Sequence, residues 1–498
     1  VGRQLARDEN NQVRMMNMQA TANGQRLPAD KQGRWRTWTL VALVAIAANV
    51  ITLFNPGFFS HDEWQKYDHV QVKGAADFIA HYGRLQVGPD FGFPMRPIGF
   101  LQQGLSASFM ADMPFVAHAI DVLMHVACTL LLLLALSRTP LRGRRAVWVA
   151  LVFAVSPLAA FSTAWVGASF DRWYVLFGLV VMIGVIGATY GRLSLANIAL
   201  IVAGTVGALL TKETSVVLPL AVLMVQLALW SKGGARLDLR RAFIVLTLVS
   251  LPIVAYLLFR LPALMASFEG KGGAYDPGQG DVWGNVRLYF AQPFLLRAVE
   301  LVAAGFLPKW QWGIALAMHA VLVATLAWRR GILAALLYLA GYFLFLLPVL
   351  PVPVVGAHYL YASGVTFSIG LVMAFLPDAK ASRGRGVLVS LMCFYLLIAC
   401  VHSYAIQRRL RIDGICQITL LADIDRQIVS ARGQGQSALW VVPDFGAPGY
   451  IAVRSTFGRW PYQAEHGGMA VGVGEAADAL PEGTRLLTMK PDCRLVQP

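Results

Sequence analysis

The residues best suited to chemistry stand at the ends of long apolar runs. Ser60-His61-Asp62-Glu63-Trp64 follows the first such run, and Phe93-Pro94-Met95-Arg96-Pro97 lies farther along the same polar stretch. Two adjacent carboxylates at a membrane interface repel each other. That repulsion raises one of their pKa values and suits Asp62 or Glu63 to act as a base near neutral pH. The same residues also read as an ordinary helix start, with Ser60 or Asp62 as its cap. On spacing alone both readings stand.

Within the second apolar run, His118, Asp121 and His125 recur at three and four residues and share one helix face. Ionisable groups are costly in hydrocarbon, so such a stripe marks a functional or bundle-interior cluster. A metal site and polar packing between helices both account for it. Asp171 and Arg172 stand at the end of another run, and Lys212-Glu213 lies in the tight turn between two others. These read either as paired interfacial charge or as a cationic cradle for phosphate. There is no Cys-x-x-Cys pair and no His-Glu-x-x-His helix, so neither a structural zinc site nor a zincin site is supported.

Composition sets what must position these residues. Of the 498 residues, 57% are hydrophobic and 14% charged, and the mean hydropathy is +0.58. A soluble chain carries about 25% charged residues. The pattern is that of an all-α polytopic membrane protein with about eleven transmembrane helices, at 37–54, 114–136, 146–155, 173–189, 195–210, 214–230, 242–259, 312–328, 332–350, 359–376 and 387–404. The net charge of +15 would suggest a polyanion partner in a soluble protein. Here the Lys and Arg residues gather in the N-terminal segment and in alternate short connections, which is a topology signal and no sign of nucleic acid.

Lys31, Arg34 and Arg36 hold residues 1–36 in the cytoplasm, and the basic loops around Arg138–Arg145, Arg192, Lys232–Arg241, Arg329–Arg330 and Lys380–Arg385 fall on the same side. Residues 289–308 are apolar but carry Arg297 and Glu300, and are read as an interfacial or re-entrant helix. The transmembrane domain is therefore 37–404, with an outer loop at 55–113 and an outer segment at 260–311. A small α/β domain, 405–498, follows outside the cytoplasm, with strands at 438–442 and 485–489 and a helix at 415–429. Cys128, Cys393 and Cys400 sit in apolar helices as packing residues. Cys416 and Cys493 bracket the terminal domain and could pair in an oxidising compartment.

Five ordered blocks over about the first 375 residues carry a family resemblance. They are His61-Asp62-Glu63 with Met95-Arg96-Pro97-Ile98, His118 to His125, Ser156-Pro157-Leu158 with Gly167 to Arg172, Lys212-Glu213, and His358-Tyr359-Leu360-Tyr361. In these the chain resembles the transmembrane and tetratricopeptide-repeat O-mannosyltransferases and, more distantly, the protein O-mannosyltransferases, which share the C-type glycosyltransferase (GT-C) membrane fold. Three positions depart from the pattern: Ser156 stands in place of a histidine, Asp121 of an asparagine, and His358 of a charged residue. No period of about 34 residues follows the membrane part, so the family's mannose donor and protein acceptor do not carry over.

The resemblance implies a glycosyltransferase that moves a sugar from a polyprenyl-phosphate donor to an acceptor hydroxyl on the extracytoplasmic side, with inversion. Asp62 is then the base and Glu63 its neighbour. Arg172 is the first choice to hold the donor phosphate, since Arg grips phosphate in bidentate fashion, with Arg96 and Lys212 beside it. His61, His118, Asp121, His125, Asp171, Glu213, His358, Tyr359 and Tyr361 support the site. No cofactor or metal is expected, although Asp62 and Glu63 have the chemistry to hold a divalent cation. The acceptor is a glycan, lipid or protein, and the setting a bacterial inner membrane with the C-terminus in the periplasm. Two other readings compete: a lipid-linked glycan polymerase or ligase, and a transporter using His118, Asp121 and His125 as its path.

Overall fold

The computed structural model describes residues 31–58, 74–87, 96–110, 112–231, 238–269, 280–295, 309–352, 356–376, 385–442, 469–473, 480 and 482–498. His61, Asp62, Glu63 and Met95 lie outside these. In order come α1 (Lys31–Ala48), the short α2 (Val50–Leu53), α3 (Ala75–Val87), α4 (Pro97–Phe109), α5 (Pro114–Ser137), α6 (Arg144–Ala154), α7 (Pro157–Ala164) and α8 (Ser169–Tyr190). Then follow α9 (Leu195–Leu209), α10 (Leu218–Ser231), α11 (Leu239–Glu269), α12 (Val282–Ala291), α13 (Lys309–Arg330), α14 (Ile332–Leu344), α15 (Leu360–Phe375) and α16 (Arg385–Gly433).

Apolar runs become helices because hydrocarbon offers no partner for a bare peptide group. Among the described residues seven helices are long and apolar enough to cross a bilayer, and α6 with α7, bent by 50°, would make an eighth. The remaining segments expected to cross coincide with three shorter apolar helices, Trp35–Ala48, Leu195–Leu209 and Ile332–Leu344. The α6–α7 bend has a local cause. Pro157 opens α7 and Ser156 caps it, its hydroxyl accepting from the Leu158 amide at 3.3 Å. The span of α11, Leu239–Arg260, is only 17% buried, with Leu251, Leu258 and Phe259 turned outward. So much exposed apolar surface on one long helix belongs against lipid, and the chain is an integral membrane protein.

Among the described residues the basic connections gather at one end of the bundle. Arg145 interacts electrostatically with Arg329 and Arg330, Arg241 donates to the Gly191 carbonyl at 2.9 Å, and Ala135, Ile183, Ile186 and Leu229, near the C-terminal ends of α5, α8 and α10, form one apolar cluster. The segment at 280–295 enters the bundle from the other end. His319, midway along α13, donates to the Phe290 carbonyl at 2.5 Å, and Leu288, Tyr289 and Phe294 are buried, so this stretch packs into the bundle; the rest of the segment expected to be interfacial or re-entrant, 296–308, lies outside the described residues.

Two expectations are corrected near the C-terminus. The span at 387–404 and the helix at 415–429 are one continuous 49-residue helix, α16. Hydropathy falls after Tyr404, but helix-forming residues continue with no proline among them, and the single Gly414 stays within the helix, closely packed against Asn55 and Gly57. Cys393 and Cys400 are exposed on its surface, whereas Cys128 is buried as expected. A four-stranded sheet packs on the far part of α16: β1 (Ala438–Val442), β2 (Ala470–Val473), β3 (Thr484–Met489) and β4 (Leu495–Val496), in the order β2-β1-β3-β4. β1 runs parallel to β2 and β3, and β4 is antiparallel to β3. Leu439, Val441, Leu487 and Met489 face Leu420, Ile424 and Ile428 of the helix. A Cys416–Cys493 disulfide, Cα–Cα 5.3 Å, closes the unit.

Candidate functional site

The end of the bundle opposite the basic loops collects five charged side chains from four elements. The α4 entry is fixed against the end of α9 by the Ile98 amide, which donates to the Leu210 carbonyl at 3.1 Å. That places Arg96 beside the turn carrying Lys212 and Glu213. Arg96 grips Glu213 through Nε at 3.0 and 2.8 Å and through Nη2 at 2.7 Å. Arg260, near the outer end of α11, approaches the same carboxylate at 3.8 Å. Lys212 Nζ donates to Asp171 of α8 at 2.5 Å and lies 4.6 Å from the centre of the Tyr359 ring and 5.7 Å from that of Tyr174. Arg96 is 5.3 Å from the Phe170 ring centre.

Burial pushes the Lys212 ammonium below its ordinary pKa, against the pull of Asp171. At Arg96 burial also works against the charge, but Glu213 more than offsets it and holds the guanidinium above its usual value. Among the described residues the cluster brings three cations together with two carboxylates. Arg with Lys is the pairing that binds phosphate.

Arg172, the first choice for phosphate from sequence, sits elsewhere. It is fully buried. Its guanidinium forms an ion pair with Asp121 of α5 and donates to the Trp165 carbonyl at 3.3 Å. Asp121 also accepts from Gln102 Nε2 at 2.7 Å, and Gln102 in turn accepts from Trp173 Nε1 at 2.5 Å. The consecutive residues Asp171 and Arg172 therefore serve different partners, because successive helical residues point about 100° apart. Asp171 with Lys212, and Glu213 with Arg96, are paired charges, whereas Arg172 pairs with Asp121 inside the bundle.

The three residues sharing a face of α5 also part ways. His118 donates through Nε2 to the Gly57 carbonyl at 2.9 Å and packs on Phe58. His125 donates through Nε2 to the Ala154 carbonyl at 3.2 Å and accepts at Nδ1 from the Tyr361 hydroxyl at 2.9 Å. Each is held by its own neighbour, as polar interhelical packing requires. Among the described residues no group of three His, Cys, Asp or Glu side chains is arranged to hold a metal. His358 packs edge-on against Trp165 at 5.0 Å, next to Tyr359.

His61, Asp62 and Glu63 fall outside the described residues, but the chain leading to them is anchored. Gly57 accepts from His118, and the Phe58 amide donates to Gln417 Oε1 of α16 at 2.6 Å. Sequence reasoning missed Arg260, Gln102 and Trp173. Arg260 carries a signal that could have found it, a lone charge closing a long apolar helix. Gln102 and Trp173 carry none.

No protein-family model and no curated protein matches the chain. Among solved structures it is similar to an oligosaccharyltransferase of Archaeoglobus fulgidus, solved with an acceptor peptide containing the NVT sequon tethered through a disulfide bond. The TM-score is 0.47 at 12% identity, over 86% of this chain and 63% of that one. The chain thus spans less than two-thirds of that protein's length, and a likeness this slight settles neither fold nor reaction.

Proposed function

We propose that this protein is a membrane glycosyltransferase of GT-C type that moves one sugar from a polyprenyl-phosphate donor to an acceptor hydroxyl at the end of the bundle opposite its basic loops. The observation that carries the reading is the clustering of Arg96 and Lys212, from separate elements, with Asp171, Glu213 and Arg260. Charge gathered at that depth is costly unless it serves a ligand or a partner. The ordered motif blocks support the same reading, since Arg96, Lys212-Glu213 and Tyr359 come from three of them.

In this mechanism Asp62 takes the acceptor hydroxyl proton as the oxygen attacks the anomeric carbon. The new C–O bond forms as the bond from that carbon to the donor phosphate breaks, inverting its configuration, and the electron pair leaves on the polyprenyl phosphate. A phosphate leaves as a stable anion and needs no general acid, in contrast to the glycosidase pair. It needs cations: Arg96 takes that role by exchanging Glu213 for phosphate oxygens, and Lys212 adds its charge beside it while it stays paired with Asp171. Glu63 orients a hydroxyl of donor or acceptor. Arg172 is reassigned from phosphate ligand to the counter-ion that fixes α8 against α5.

The test is transfer by the purified full chain, supplied with a radiolabelled polyprenyl-monophosphate sugar and an acceptor extract, with mass spectrometry of the lipid that co-purifies. A monophosphate-linked single sugar that is turned over supports the reading. A protein that carries and uses only diphosphate-linked oligosaccharide is a polymerase or ligase instead.

A further inference from the structure

The imidazole of His358 takes no part in the transfer steps, yet its surroundings fix it beside the residues that do. His358 sits in the single turn Ala357–Tyr359 ahead of α15. Its ring lies edge-on to Trp165 at 5.0 Å, is stacked with Phe161 at 6.5 Å and stands 4.0 Å from the Tyr359 ring. It also rests on Gly356, where an added Cβ would meet the imidazole Cε1 at 2.3 Å and Nδ1 at 2.6 Å. Three aromatic rings and a bare α-carbon therefore set its orientation.

The two ring nitrogens differ. Nδ1 is sealed from solvent with no hydrogen-bond partner, whereas the residue as a whole keeps part of its exposure, so the open edge of the ring is the one that carries Nε2. Among the described residues nothing hydrogen-bonds to either nitrogen. A neutral imidazole carries one proton and can hold it on either nitrogen. On Nδ1 that proton would meet nothing, and on Nε2 it can be given to a ligand. The ring also stands by the cations. The Tyr359 ring that it touches is the one 4.6 Å from Lys212 Nζ, and His358 is near enough to both Lys212 and Arg96 to interact with them electrostatically.

We propose that His358 is a further ligand of the donor phosphate, its Nε2–H donating to a non-bridging oxygen beside Arg96 and Lys212. The assignment rests on the reading of Arg96 and Lys212 as the phosphate site and adds a directional donor to it. A hydrogen bond to an ionised oxygen is stronger than one between neutral groups. An ammonium attracts an anion from any side, but an N–H held in one direction fixes which oxygen faces it. That in turn fixes how the anomeric carbon is presented to the attacking hydroxyl.

The experiment measures the binding of sugar-free polyprenyl monophosphate, and of the uncharged polyprenol, to the full chain in detergent, together with KM for the sugar-linked donor. The wild type is expected to bind the phosphate more tightly than the alcohol. His358→Ala should weaken phosphate binding about tenfold or more, raise KM by a similar factor and leave polyprenol binding and the thermal midpoint unchanged. His358→Gln, whose amide N–H reaches close to where Nε2 stands, should keep most of the affinity, and His358→Asn, whose amide lies nearer Nδ1, should not. Gly356→Ala pushes the ring from its seat, so it should weaken phosphate binding in the wild type and add nothing in the His358→Ala protein. Unchanged phosphate affinity in His358→Ala, a loss confined to the sugar-linked donor, or Gln no better than Asn overturns the proposal and leaves the Arg96–Lys212 reading standing. A wild type that binds the phosphate no better than the alcohol overturns both.

Discussion

Asp171 and Arg172 are neighbours in the chain and belong to two different regions of the molecule. Arg172 turns into the bundle and meets Asp121, with both side chains sealed from solvent. Asp171 turns to the outer end and meets Lys212 in a pair that is itself buried, at 2% and 7% exposed; beside it stands the Arg96–Glu213 pair, where the side chains keep 26% and 22% of their exposure. A sealed pair cannot trade its partner, because either charge left alone in the core is penalised by several kcal/mol. A pair at an open edge can. The difference separates an ion pair that holds the fold from one placed to take a ligand, although a sequence shows both as a carboxylate beside a cation.

The largest effect should come from breaking the sealed pair. Arg172→Ala leaves Asp121 buried and unpaired, at a cost of about 3–5 kcal/mol, and is expected to lower the yield and the thermal midpoint of the detergent-solubilised protein sharply. Restoring an apolar pair with Asp121→Leu and Arg172→Met should recover much of that stability. A stable Arg172→Ala protein that has lost only donor binding would return Arg172 to the phosphate.

Asp62→Asn comes next, and it keeps shape while removing the proton acceptor. A folded, membrane-inserted variant should bind donor yet transfer at least about 100-fold more slowly. Asn caps a helix about as well as Asp, so near-normal transfer would mean that Asp62 is only a cap and the mechanism is wrong. Arg96→Ala should cost about 1.5–3 kcal/mol of donor binding, roughly 10–100-fold, with an unchanged thermal midpoint. Should its stability fall as far as that of Arg172→Ala, the contrast between the two regions disappears.

The smallest effect is a shift in pH dependence. Burial depresses the Lys212 pKa, and the ammonium is charged below that pKa and neutral above it. Donor affinity should therefore decline on the alkaline side, beginning below the ordinary lysine value of about 10.4. Lys212→Arg should move that decline upward, since guanidinium stays charged. An alkaline limb identical in both proteins would assign the titration to another group.

What the sequence disclosed follows from which forces act locally. Apolar runs such as 114–136 and 242–259 announce themselves because hydrocarbon imposes one solution on any backbone. Arg96, Lys212 and Glu213 were legible as a group only through the motif order, since no spacing rule links positions 117 apart. The Asp121–Arg172 pair was hidden for the same reason: each charge looked functional because its partner, 51 residues away, could not be seen. The continuity of α16 was hidden differently, by a fall in hydropathy that marks where a membrane ends and says nothing about where a helix does.

That helix has an evolutionary consequence. Before its sheet begins, α16 already touches the start of the outer loop: Gln407 bonds Thr52 and Ala48, Leu410 accepts from Asn55, and Gln417 holds Phe58. The fall in hydropathy at Tyr404 is therefore no seam at which recombination could remove the terminal domain or graft it onto another bundle. A cut at 404/405 would strip those partners from the base of the loop that carries Asp62. The membrane part and α16 are expected to be inherited as one unit, and insertions within 385–433 should be tolerated far less than insertions beyond it.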